Sequence, residues 1–195
     1  MTAVEQQVTE TSPVFVWTPE EFIDAWEAGI FAGHKRVQMV DGEVWELGPI
    51  GSWHGETVAR NMCLLRSPGT VVSGATLPMP RSMPDPDVWV RREGAQPLTD
   101  IRGYETWRPD DVLLVVEVGD STLRHDLTTK ATIYARGGVR HYWVVARDAL
   151  HVFTQPGEDG YDQHEVLTAE DEIALPYGPR EVIDVADLIS GAGRG

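Results

Sequence analysis

Apolar positions recur along this chain with two periods, and each change of period marks an element. Thr18-Pro19-Glu20-Glu21 reads as a helix start, with a Thr cap, Pro at the first helical position and acids in the first turn. Phe22, Ala25, Trp26 and Ile30 then recur at helical spacing, with Gly29 near the end. From Arg36 to Leu47 the period falls to two around Asp41-Gly42, the signature of a tight hairpin. Trp53–Leu65 reads as a second helix with Val58, Met62 and Leu65 facing inward, and Thr70–Leu77 and Asp87–Val90 read as strands. Residues 91–110 read as a polar loop. Val112–Val118 is almost continuously apolar, as in a strand covered on both faces. Asp126–Gly137 reads as a helix with an Asp cap and a Gly-Gly stop. Strands follow at His141–Ala146 and Leu150–Thr154, short strands at 161–185 and a last helical turn at Asp184–Ile189. The order predicts an α/β fold, a mixed β-sheet flanked by helices.

The chain of 195 residues is long enough for one domain with a sizeable core. Residues 1–17 are expected to form a flexible tail and 18–190 a single domain. Cys63 is the one cysteine, which excludes an internal disulfide and any cysteine-based zinc site. The first residues lack the basic and apolar stretches of a signal peptide, and the longest aliphatic run, Val112–Val116, is far too short for a bilayer. A cytoplasmic protein with no membrane partner is the expectation.

A net charge of −15 opposes nucleic-acid binding. Its distribution matters more than its size. Residues 1–30 hold six acids and no Lys or Arg, and residues 151–195 hold ten acids against two basic residues. The remaining middle carries 15 acids against 14 basic residues and is nearly neutral.

That middle carries the chemistry. Asp87 opens the strand Val-Trp-Val, Glu117 interrupts an apolar strand, and Lys130 follows in the next helix, on the flank of a stripe marked by Leu127, Ala131 and Tyr134. Two carboxylates and a lysine are the parts of a Mg²⁺-dependent (or Mn²⁺-dependent) phosphodiesterase site. A hard cation held by Asp87, Glu117 and the Val118 carbonyl would lower the pKa of an attacking water and stabilise charge on phosphate. Strand periodicity sets Leu113, Val115 and Glu117 on one face. A buried Glu117 needs compensation, which a metal or a basic partner can supply equally well. Asp85 and Asp110 also follow prolines; Asp87 is preferred because it directly precedes the apolar strand.

The stretch from Val112 to Val145, ending in Lys130-x3-Tyr134-Ala-x-x-Gly-Val-x-x-Tyr-Trp143-Val-Val, resembles the Uma2 (DUF820) family of the PD-(D/E)XK, restriction-endonuclease-like superfamily. Val40-Asp-Gly-Glu43, His54-Gly and Pro86-Asp87-Val fall in that family's order. The resemblance spans about residues 18–189. It implies a restriction-endonuclease-like core and a Mg²⁺-dependent endonuclease acting on DNA, with catalytic Asp87, Glu117, Lys130 and Glu43. His54, Asp126 and Tyr134 stand as further candidates, Asp126 as a helix cap or a partner of Lys130. Gly119 occupies the position where many superfamily members carry the lysine, and the resemblance assigns that role to Lys130. A homodimer would suit cutting of both strands. The alternatives are a non-catalytic interaction protein of this fold, or a phosphoesterase acting on a small nucleotide.

Overall fold

The computed structural model describes residues 14–66 and 69–190. Of the tail expected at 1–17, residues 1–13 lie outside the described residues, whereas the Trp17 N–H donates to the Gly42 carbonyl.

Helix α1 (Pro19–Glu27) starts as its sequence dictates, with Thr18 and Glu21 capping one another reciprocally. Strands β1 (Val37–Val40) and β2 (Glu43–Glu46) form the expected hairpin. Asp41 and Gly42 both take positive φ, which a two-residue turn of the type matching strand twist requires. Helix α2 (Ser52–Leu64) follows, then β3 (Gly69–Val72) and β4 (Val88–Arg92). The loop expected at 91–110 contains a small hairpin, β5 (Thr99–Ile101) with β6 (Tyr104–Thr106). Strand β7 (Val112–Val118) leads into one continuous helical segment: α3 (Leu123–His125), a π-helical turn (Asp126–Lys130) and α4 (Ala131–Arg136). Strands β8 (His141–Val145), β9 (Leu150–Gly157) and β10 (Gly160–Leu167) complete the large sheet. A third small hairpin, β11 (Glu172–Ala174) with β12 (Val182–Asp184), precedes α5 (Val185–Ile189).

The central sheet runs β10-β9-β8-β7-β4-β3, with β7 and β8 parallel and every other pair antiparallel. A parallel pair requires a crossover, and the α3–α4 segment provides it. Both faces of the sheet are covered. Leu114, Val116 and Val118 pack beneath α2 and α5, while Val115 packs with Tyr134, Tyr142 and Val144 under α4.

Three local expectations are corrected. A bulge between Val90 and Arg91 pairs Arg91 with Val112, and Leu113 packs on the face opposite Val115. On α2 the fully buried positions are Thr57, Asn61 and Leu65, while Val58 and Met62 are only partly buried. Asn61 can face inward because its Nδ2 donates to the carbonyls of Thr57 (2.9 Å) and Leu188 (3.0 Å), which ties α2 to α5. Finally, the crossover helix begins at Leu123, so Asp126 is not its cap and Lys130 is not in its first turn.

Candidate active site

The register of β4 against β7 sets Val88 opposite Val116, so Asp87, just before β4, lies beside the C-terminal end of β7. The Val118 N–H donates to Asp87 Oδ2 at 2.7 Å, and His54 Nε2, from the first turn of α2, lies 3.0 Å from Oδ1. On the next position of β7, Glu117 accepts from the Tyr134 hydroxyl at Oε1 (2.7 Å) and pairs with Lys130 Nζ at Oε2 (2.9 Å). Lys130 also lies 3.2 Å from Asp126 Oδ1, an ion pair without the alignment of a hydrogen bond. Thr122 Oγ1 donates to the other Asp126 oxygen at 2.6 Å, and Tyr142 donates to the Asp126 carbonyl at 2.9 Å, pinning the π-helical turn. Asp87, Glu117 and Lys130 line one cleft of about 80 Å³, together with Arg36, His54, Asp85 and Asp120.

Lys130, Glu117 and Asp126 are 5%, 1% and 1% exposed, so two carboxylates share one ammonium out of water. Burial raises the Glu117 pKa to about 8, against the downward pull of Lys130. Burial also opposes the Lys130 charge, but Glu117 and Asp126 outweigh it and hold the lysine protonated. The hydrogen bond to Asp87 raises the pKa of His54, helped by a backbone hydrogen bond to Val118. A carboxylate whose pKa burial has raised is one that gains from a nearby cation.

The Uma2 family profile, described as "Putative restriction endonuclease", matches residues 19–185. The chain belongs to the Uma2 family. The crystal structure of "a putative nuclease belonging to DUF820" from Anabaena variabilis ATCC 29413 superposes with a TM-score of 0.59 at 11% identity, covering 79% of this chain and 89% of that one. At that identity the likeness establishes the shared fold, the restriction-endonuclease-like α/β core. No curated protein matches the chain.

Of the residues that the Uma2 resemblance singled out, Asp87, Glu117, Lys130 and His54 meet in the cleft, with Val118, Asp126 and Tyr134 bonded or ion-paired to them. Glu43 does not join them. It is exposed at the start of β2 opposite Val40 and does not line the cleft. Lys130 departs from the flank that a 3.6-residue period assigns it. The π-helical turn changes the phase of the helix, and Lys130 turns inward onto Glu117. Asp110 and Asp111 pair with Arg140 and Arg92 beside the opposite end of β7. Three charged residues of the cleft were not among the candidates: Arg36, Asp85 and Asp120. Asp85 carried a signal, a second Pro-Asp pair two residues before Asp87. It accepts from Thr76 Oγ1 at 2.6 Å, and its N–H faces the buried Gln38 Oε1 at 3.4 Å. Asp120 is held by the Arg147 fork, and Arg147 lies 4.4 Å above the Trp53 ring.

Among the described residues no group of three or more His, Cys, Asp and Glu side chains is arranged to hold an ion. The cleft offers the carboxylates of Asp87 and Glu117 instead, with Val118 next to Glu117 on β7. Two carboxylates suit Mg²⁺, which needs few protein ligands and keeps much of its hydration, better than ions that demand a full protein cage. All the donors are hard oxygens, and a cation beside Glu117 would offset the burial that raises its pKa. The residues fit a hard divalent cation. Among the described residues no helix is long and apolar enough to cross a membrane.

Proposed function

We propose that this chain is a Mg²⁺-dependent (or Mn²⁺-dependent) endonuclease that hydrolyses DNA phosphodiester bonds. The observation that carries the reading is the meeting of Asp87, Glu117 and Lys130 in one cleft, from two strands and the crossover between them. Asp87, Glu117 and the Val118 carbonyl would hold the cation, which when bound supplies an activated water and charge for the phosphate. The other groups act through position. The Val118 N–H and His54 fix both oxygens of Asp87, and Tyr134 fixes Glu117 through Oε1. Lys130 is the nearest cation to Glu117; it would orient the attacking water and donate to the pentavalent phosphate. Asp126 is the second carboxylate that holds that ammonium in place. Glu43, which does not line the cleft, is left without a role in it. Cutting both strands of a duplex would call for two copies of the chain.

Single-turnover cleavage of a supercoiled plasmid and a linear duplex at low salt tests the reading. Wild type should cut with Mg²⁺ or Mn²⁺, and Asp87→Asn and Glu117→Gln should not. Equal cutting by all three proteins would trace the activity to a contaminant and end the proposal.

One observation favours a second reading, a binding protein that keeps this fold without turnover. Lys130 is buried and already paired with two carboxylates, as a purely structural ion cluster would be. The plasmid assay separates the two, because such a protein would retain DNA without nicking it.

A further inference from the structure

The cleft is not closed at its outer end. Arg36, Ile50, His54, Asp85 and Asp87 line it and also line a second groove of about 380 Å³, whose far side is Gly55, Val58, Ser73, Gly74 and Pro86. The two spaces are therefore neighbours, with Asp87 in the wall they share. The groove is at the small end of ligand sites, sized for one nucleotide rather than a duplex.

Arg36 stands at the junction. Among the described residues no hydrogen bond or ion pair engages its guanidinium, although its charge is felt by His54. A half-buried fork with no partner, beside a phosphodiester site, is suited to bidentate contact with phosphate oxygens. The carboxylates of Asp85 and Asp87 face the same junction, so an anion would bind there with a divalent cation present. Gly55 is the second observation. It sits in the first turn of α2, and a Cβ built on it meets nothing within 4 Å. Its backbone is ordinary helix, where Gly costs about 1 kcal/mol against Ala. The fold does not need glycine at this position; what its missing side chain leaves open is the groove.

We propose that this groove is the subsite for the nucleotide flanking the scissile phosphate, with Arg36 gripping that nucleotide's phosphate. The proposal rests on the phosphodiesterase reading above and narrows its substrate: the strand must be single, or splayed, where it crosses Asp87.

The test uses the full chain, ¹⁵N-labelled, titrated with thymidine 5′-monophosphate in Mg²⁺ buffer. Shifts should concentrate on the amides of Gly55, Ser73 and Gly74, and Arg36→Met and Gly55→Phe should each weaken binding tenfold or more. Gly55→Ala serves as the folded control and should bind within a few-fold of wild type. Shifts confined to other surfaces, or equal affinity in Gly55→Phe, would overturn the subsite. Cleavage supplies an independent arm. Gly55→Phe should lose at least tenfold more activity on a single-stranded oligonucleotide than on bis(p-nitrophenyl) phosphate, a diester too short to fill the groove. Equal losses on both would also overturn it. If wild type hydrolyses neither substrate, the catalytic reading fails, and the titration alone decides whether the groove holds a nucleotide.

Discussion

Replacing Lys130 by Met should destabilise the protein in a way that depends on pH. The substitution roughly keeps the volume of the side chain and removes its charge, leaving Glu117 and Asp126 buried without the ammonium 2.9 and 3.2 Å away. Breaking a buried ion pair costs about 3–5 kcal/mol when the remaining charge stays ionised. Glu117 can avoid part of that cost by taking a proton. Its pKa in the native wild type is already raised to about 8, chiefly by burial, and loss of Lys130 removes the main opposing pull. A raised carboxylate pKa means that the native state binds a proton which the unfolded state has released. Stability from this group is therefore fully present below the ordinary carboxylate pKa and falls as pH rises through the native value. In wild type that window runs from 4.5 to about 8; in Lys130→Met it extends further upward. Near pH 6 the variant carries a protonated Glu117 and should lose about 1–3 kcal/mol, the cost of a missing buried donor. Near pH 9 the loss should approach about 3–5 kcal/mol. At roughly 2–4 °C per kcal/mol for a chain of this size, the melting-temperature deficit should grow from about 2–12 °C to about 6–20 °C. Calorimetry of metal-free protein across pH 5.5–9 measures this directly. A deficit that is absent, or the same at every pH, would refute the assignment of Lys130 as counter-charge of the buried carboxylates. Under the proposed mechanism the same variant should also cleave DNA about 10²–10³-fold more slowly in Mg²⁺.

Two further outcomes follow from the same geometry. Mg²⁺ or Mn²⁺ should raise the melting temperature of wild type, by about 2.7 kcal/mol of stability at a hundredfold excess over Kd, and Glu117→Gln should lose most of that shift; an equal shift in both proteins would mean that the ion sits elsewhere, most simply on the acidic C-terminal segment. Tyr134→Phe removes the hydroxyl that donates to Glu117 Oε1 while keeping the ring against Tyr142. It should cost about 1–3 kcal/mol in metal-free protein, read by urea unfolding, and unchanged stability would mean that the bond contributes nothing to holding Glu117.

The hairpin at Asp41-Gly42, the strand Val112–Val118 and the Gly-Gly stop were all legible because each depends on local chemistry. Positive φ, continuous apolar character and a helix terminator are written in adjacent residues. The inward face of α2 was not legible, since Asn61 is buried only because Leu188, from the far end of the chain, offers its carbonyl. No period along α2 can report a partner so distant in sequence. The small hairpin β5–β6 was missed for a related reason: its strands are three residues each and partly exposed, so they carry no apolar alternation.

The site divides along the same line. Asp87, Glu117 and Lys130 could be named from the chain, because strand ends and their spacing to the next helix constrain where such residues meet. How Lys130 reaches Glu117 could not. A regular helix from Asp126 would leave the ammonium on the flank, able to retreat into water, and Glu117 would then need some other cation. The π-helical turn removes that freedom, and beside the local bond from Thr122 to the Asp126 carboxylate it is stabilised by one invisible in the local sequence, from Tyr142 to the Asp126 carbonyl. The missing lysine at Gly119 acquires a physical reading in this light. A side chain at 119 would be crowded, because a Cβ there would lie 2.8 Å from the Leu123 Cδ1, which can rotate away, and 3.0 Å from the Leu123 Cα. Leu123 begins the crossover helix that carries Lys130 back over Glu117. A larger residue at 119 would press on the start of that helix, so a lysine on the strand and the helix that carries Lys130 compete for the same space.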